Sequence, residues 1–209
     1  MCKNRILPFG KTLKSYLKEH GEKRPNLSLC CPDNSCKKRT LYKHGRYFRW
    51  ATTKYQCILI PIYRWYCPAC GKTVSLIPDF LIPWARVVTA SREAAFKRRK
   101  KGISFKKISK GIVSPSIGGI SATTIKRWWN RYLAQVDRTS IWIAGRLIHL
   151  GESEDLLRLH SKGVNSTPLD TLEWFYTLLQ KYTLLFQFNP SMKGYLSFLN
   201  SHLPVELRL

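Results

Sequence analysis

The placement of its cysteines constrains this chain more than any other feature. The stretch YRWYCPACGKTVSLIPDF, residues 63–80, sets Cys67-x-x-Cys70 between aromatic-rich, strand-like pieces, and CCPDNSC upstream offers Cys31-x4-Cys36. Four soft thiolates on two short turns suit the tetrahedral corners that zinc requires. Pro32 and Pro68 each follow a cysteine and Gly71 follows the second pair, residues suited to tight turns whose backbone N–H groups point at sulfur. A redox dithiol would instead open a helix within a βαβ unit, whereas TVSLIP follows this pair. The expected ligands of a structural Zn²⁺ are therefore Cys31, Cys36, Cys67 and Cys70. Cys30 competes with Cys31 for the first position, and Cys31 is favoured because its Cys-Pro matches the second knuckle. Cys57 reads as a small buried hydrophobe, Cys2 as a free thiol, and His44 as a strand residue rather than a ligand. Seven cysteines is an odd number, and the start MCKNRILPFGKTLK carries no apolar leader core. Neither a disulfide framework nor secretion is expected.

Charge is the second constraint. The formal net charge is +24. Residues 1–131 hold 29 of the 36 Lys+Arg and 5 of the 12 Asp+Glu, giving +24, while residues 132–209 hold 7 of each and are neutral. A self-repelling concentration of this size points to a polyanionic partner, here nucleic acid. An acidic lipid surface fits less well, because the charges are interleaved with folded-looking aromatic segments rather than gathered in a loose basic run. No 18-residue apolar run is present, so no membrane partner and no membrane span are expected. The expected location is cytoplasmic, in association with the nucleoid.

The hydrophobic period changes along the chain. Residues 1–29 form a basic segment in which TLKSYLKEHG suggests a short helix ending at Gly21. LYKHGRYFRW and KYQCILIPIYRWYC read as two strands separated by ATT, with Pro61 best placed on an edge. From about Ser91 the period is helical. SREAAFKRRKKG predicts a helix closed by Gly102, and SFKKISKGIV a second with Phe105, Ile108 and Ile112 on one face. After the connection SPSIGGIS, ATTIKRWWNRYLAQV places Ile125, Trp128, Trp129, Tyr132 and Val136 on one stripe, with Ser121 as N-cap. In the neutral region Thr167, Pro168 and Asp170 mark a helix start, Asn189-Pro190 a stop, and MKGYLSFLNSHL a last short helix.

Residues 91–136 carry 12 Lys+Arg against the single Glu93. Two short helices and a third with an apolar back are the raw material of a helix-turn-helix, although SPSIGGIS is longer than the usual tight turn. On the third helix Thr123, Arg127 and Asn130 fall at i, i+4, i+7, away from the apolar stripe, and are types that read base edges in duplex DNA. Lys126 and Arg131 flank that row as phosphate contacts, a role expected also of Lys97 and Lys101, and Thr124, Arg98, Arg99, Lys100, Lys106 and Lys107 complete the expected DNA-binding set.

The run YRWYCPACGKTVSLIPDFLIPW, and more weakly residues 30–135, resembles the N-terminal DNA-binding region of bacterial insertion-sequence transposases and related short zinc-ribbon proteins of mobile elements. The wide Cys31-x4-Cys36 knuckle departs from that pattern. The resemblance implies the same four cysteine ligands and a role in transposition. Full transposases of this kind continue into a domain with three metal-binding carboxylates. Here Glu152, Glu154, Asp155, Asp170 and Glu173 sit in contexts of caps and solvated faces, and no catalytic motif is recognised.

The expected fold class is α+β. A basic segment, 1–29, precedes a β zinc ribbon, 30–84, then a helix-turn-helix, 90–136, and a neutral helical region, 137–209. The expected function is non-catalytic DNA binding, transposase-related or accessory, with a transposase or recombinase as a candidate partner. A compact nuclease or recombinase and an RNA-binding ribbon are the alternatives. The neutral region has two open readings: a core packed on the third helix, or a surface for a homodimer or a partner protein.

Overall fold

The computed structural model describes residues 3–7, 12–31, 33, 35, 36, 40–154, 167–180, 182 and 194–203. Its α+β architecture couples one mixed sheet to a set of helices. The sheet contains β1 (Lys3–Leu7), β2 (Tyr42–Thr52), β3 (Cys57–Tyr66) and β4 (Thr73–Pro78), in the order β1-β4-β3-β2. The β2–β3 and β3–β4 pairs are antiparallel, and β1 adds to β4 in parallel from Lys3↔Val74 to Leu7↔Pro78. Between β1 and β2 lies α1 (Leu13–His20), capped by the Thr12 side chain and ended at Gly21.

β2 runs two residues past the aromatic run because Ala51 and Thr52 continue the strand, the chain reverses over residues 53–56, and β3 begins only at Cys57, later than its sequence run suggests. The register slips between Lys43 and Arg46, where Gly45 adopts φ +66°. That positive φ makes glycine the residue of least cost at the bulge. Pro61 lies in an inner strand, but β4 pairs with β3 only over Arg64–Tyr66. At Pro61 the β4 side of the strand is therefore an edge, and the Pro61 carbonyl accepts from Tyr16 Oη at 2.8 Å instead of from a ladder N–H.

β3 is buried on both faces. Ile60 and Ile62 join Ile6, Tyr16, Ala51, Ile77, Phe80 and Leu81 in one cluster, while Tyr63 and Trp65 join Leu29, Leu41, Val74 and Leu76 in another. Arg24 lies over the Tyr63 and Trp65 rings at 5.3 and 5.1 Å and donates to the carbonyls of Arg64 and Gly45.

The helices follow. α2 (Thr89–Lys100) starts two residues earlier than the sequence pattern predicts, and Gly102 lies just beyond its end at φ +79°. α3 (Phe105–Ile112) is capped by Ser104 and buries Ile108 and Ile112. The connection holds a 3-10 turn, Pro115–Ile117, and then α4 (Ala122–His149), capped by Ser121. α4 runs unbroken through residue 136, so the basic and neutral regions of the chain share one helix.

α5 (Pro168–Gln180) and α6 (Tyr195–His202) complete the described helices. Thr167 and Asp170 cap α5 reciprocally: the Thr167 N–H donates to Asp170 Oδ2 at 2.9 Å, and the Asp170 N–H donates to Thr167 Oγ1 at 3.3 Å. The expected stop at Asn189-Pro190 lies outside the described residues.

Two helical cores result. Ile108, Ile112 and Ile125 pack with Val87 and Ala95 between α2, α3 and the start of α4. Phe96, Tyr132, Val136, Ile143 and Leu147 pack against α5 and α6, with Trp142 and Trp174 half-buried at the margin. The described part of the tail therefore packs with the long helix, as the first of its two readings expects, but Trp142 and Trp174, which that reading buries, stay half-exposed. Asn200 also donates to the carbonyls of Asp79 and Leu81 at 3.0 and 2.8 Å, fastening α6 to the corner after β4.

Candidate metal centre and basic helical face

The four cysteines converge at the end of the β2–β3 hairpin opposite its turn. The Sγ atoms of Cys31, Cys36, Cys67 and Cys70 all lie within 4.8 Å of one another. Cys31 and Cys70 approach at 3.5 Å, and Cys36 and Cys67 at 3.6 Å. These separations are far beyond a disulfide bond and close to the edge of about 3.8 Å that a tetrahedron of ~2.3 Å metal–sulfur bonds requires. The donor set thus fits a metal ion. Cys30, the competitor, is exposed and bridges to Thr40, so the first ligand position belongs to Cys31. Cys57 is half-buried beside Thr52 Oγ1, and Cys2 lies outside the described residues.

Local backbone chemistry builds each knuckle. Cys67 N–H donates to the Lys72 carbonyl and Gly71 N–H to the Cys67 carbonyl, both at 2.9 Å, with Gly71 at φ +68°. On the facing turn Asp33 accepts from the Ser35 hydroxyl at 2.7 Å and from its N–H at 3.2 Å. Lys72 pairs with Asp33, tying the two knuckles together. The hydrogen bonds from Lys72 and Ser35 hold the Asp33 carboxyl well below the usual carboxylate range.

The thiols divide. Burial, with the neighbouring Cys67 and Cys31 thiols, pushes Cys36 up to about 12. Burial also raises Cys67, but hydrogen bonds from the Cys70 backbone and thiol, the Cys36 thiol and the Ala69 backbone outweigh it and leave Cys67 at about 7. Cys36 and Cys67, in contact with each other, are thus shifted in opposite directions. No family profile, curated protein or solved structure matches the chain.

The basic face is built differently, on helix backs fixed by the core. Thr123, Lys126, Arg127, Asn130 and Arg131 are exposed on the first turns of α4, with Thr124 half-buried. Ile125 and Tyr132 anchor the opposite side of the helix. Lys101, Lys106 and Lys107 are exposed on the neighbouring elements. Among the described residues none of these cations has a carboxylate partner.

The remaining α2 cations are partly engaged. Lys97 pairs with buried Glu93 at 2.8 Å, and Arg99 lies over Phe105 at 4.6 Å. Arg98 lies across α3 at Gly111, where a Cβ would meet its guanidinium at 2.5 Å. Lys100 reaches Asp170 at 2.5 Å and Glu173 at 2.8 Å, linking α2 to α5.

One further cation has no counterpart among the sequence expectations. Arg92 lies over the Trp128 ring at 4.2 Å, and burial, with Arg131 nearby, lowers it to about 10. Only the spacing between a basic helix and a tryptophan on a later one could have signalled it.

Proposed function

We propose that the protein binds duplex DNA through a helix-turn-helix formed by α3, the 113–121 connection and α4, braced by a zinc ribbon at Cys31, Cys36, Cys67 and Cys70. The observation that carries this reading is the outer face of α4. Thr123, Arg127 and Asn130 form an exposed row on a helix whose other side is locked into two cores, flanked by unpaired lysine and arginine. A rigid helix presenting Arg and Asn matches the chemistry of guanine and adenine edges in the major groove, and the flanking cations match phosphate. Zinc is the metal of choice for four thiolates, and its role is structural because all four positions are protein ligands. With the sequence resemblance, this supports an accessory or transposase-related DNA-binding role in a mobile element, with catalysis supplied by a partner.

The test is fluorescence anisotropy on a selected duplex site and on random duplex across a salt series. Arg127→Ala should cost about 1–3 kcal/mol on the selected site and relax its specificity. Lys107→Ala should weaken both duplexes alike and lower the salt slope by about one unit. Equal losses for Arg127→Ala on the two duplexes would refute base reading.

A further inference from the structure

The sheet has a second unusual surface, on the face of β2 away from Ile60 and Ile62. Pairing places Phe48 opposite Pro61 and Trp50 opposite Leu59. Phe48 is 54% exposed, Trp50 51% and Leu59 45%. Beside them the chain from Ile82 to Val87 folds back along β2 and raises Trp84, which is 90% exposed. Phe48, Trp50 and Trp84 line one open hollow of ≈360 Å³ with Arg86 at its rim. Soluble proteins rarely gather large aromatics in water unless something covers them.

The mount under Trp84 is rigid. Arg49 donates to the carbonyls of Ile82 and Ala85 at 3.2 and 2.8 Å, and Thr52 exchanges hydrogen bonds with Arg86 and Val88 at 2.7 and 3.0 Å. Trp84 itself sits at φ +64°, the one non-glycine in the left-handed region among the described residues. A bulky residue is strained there. The fold thus holds a tryptophan in a conformation that suits glycine, with its ring in solvent.

Charge states what would cover this face. Residues 34–78 contain nine Lys+Arg and no Asp or Glu. Arg46 already lies over the Phe48 ring at 5.4 Å. A protein partner would need a matching anionic and aromatic surface, and a duplex hides its base faces. An unpaired strand offers flat π faces and a phosphate at every step, which is what aromatic rings among guanidinium groups recognise.

We infer that Phe48, Trp50 and Trp84, with Arg46 and Arg86, form a stacking platform for unpaired DNA, separate from the duplex-reading face of α4. The choice of DNA over RNA rests on the function proposed above; the platform itself does not. Such a surface suits a protein acting at a site where a duplex opens or ends.

Anisotropy with a short labelled oligo(dT), oligo(U) and random duplex tests this, with tryptophan quenching as a second readout. Trp50→Ala should weaken oligo(dT) binding by roughly 5- to 150-fold, the range of a lost base–aromatic stack, and leave duplex binding unchanged. Trp84→Gly is the sharper variant, because it relieves the backbone while removing the ring. It should raise the melting temperature and still weaken oligo(dT) binding, whereas Trp84→Phe should keep most of the affinity. Unchanged oligo(dT) affinity in both Trp50→Ala and Trp84→Gly overturns the platform. Tighter binding of oligo(U) than of oligo(dT) overturns the assignment to DNA. Arg127→Ala separates the two proposals, since it should spare oligo(dT) binding, and a duplex-binding failure in the unaltered protein would leave the oligo(dT) result standing.

Discussion

Removing residues 165–209 asks whether the neutral tail is core or interface, and the structure supplies the magnitude. The deletion uncovers Phe96, Tyr132, Val136, Ile143 and Leu147, each at most 4% exposed in the intact protein. Returning one such side chain to water costs about 1.5–3 kcal/mol, so the five together cost about 8–15 kcal/mol. Residual burial in a compact unfolded chain trims that to roughly 5–14 kcal/mol. A domain of this size is stable by only about 5–15 kcal/mol. The shortened chain should therefore lose cooperative melting, bind a hydrophobic dye and sediment as aggregates. Circular dichroism melts and sedimentation velocity on both chains read this directly. A truncated protein that is monodisperse, melts cooperatively near the full-length temperature and keeps its metal would refute the assignment of the tail to the core. If the full-length chain were then a dimer, the interface reading would take its place.

Other outcomes follow from single contacts. Cys67→Ser should abolish stoichiometric metal and loosen the contacts of Asp33 with Ser35 and Lys72, while the cluster around Ile60 and Ile62 keeps the sheet paired; one retained zinc per chain by elemental analysis would contradict this. Asn200→Ala strips the Asp79 and Leu81 carbonyls of their donor and should cost about 2–4 kcal/mol in urea denaturation, against under about 0.5 kcal/mol if α6 were merely docked. Lys100, then the Thr167 hydroxyl and N–H, hold Asp170 down to about 2. Its stabilisation is complete above about pH 4, where the unfolded carboxyl is already ionised, and is lost as pH falls through about 2. With Asp170 about one-third exposed, screening limits this to about 1 kcal/mol; Asp170→Asn should lower stability at pH 7 by that amount and flatten the curve between pH 4 and 2.

What was legible in the sequence was local. The helix ends at Gly21, Ser121 and the Thr167–Asp170 box were readable because a cap is a contact between residues three or four apart. The cysteine pairs were legible because ligand spacing within a knuckle is also short-range. Long-range features were hidden. β1 is a five-residue piece whose partner, β4, begins 70 residues later, and nothing in KNRIL names that partner. The reach of α4 past residue 136 was masked by the fall in charge, which is a boundary in composition but not in backbone structure. The early start of α2 at Thr89 was hidden for another reason, since Val88 provides no side-chain cap to mark it. Trp84 gave no signal, because its φ is imposed by the bonds Arg49 makes to the chain on either side of it.

The hydrogen bonds from Asn200 span 119 and 121 positions of the chain, and that span sets an order of events during synthesis. The corner after β4 leaves the ribosome long before the residue that fastens it. At about 5–20 residues per second, the wait is roughly 6–24 s. Through that interval the cationic half of the molecule is present without α6, and the rings that will line the second helical core are uncovered. A message truncated between the codons for Arg131 and Asn200 would release a strongly basic, incompletely closed chain, a natural substrate for chaperones and proteases. Only a chain translated through α6 can close that corner.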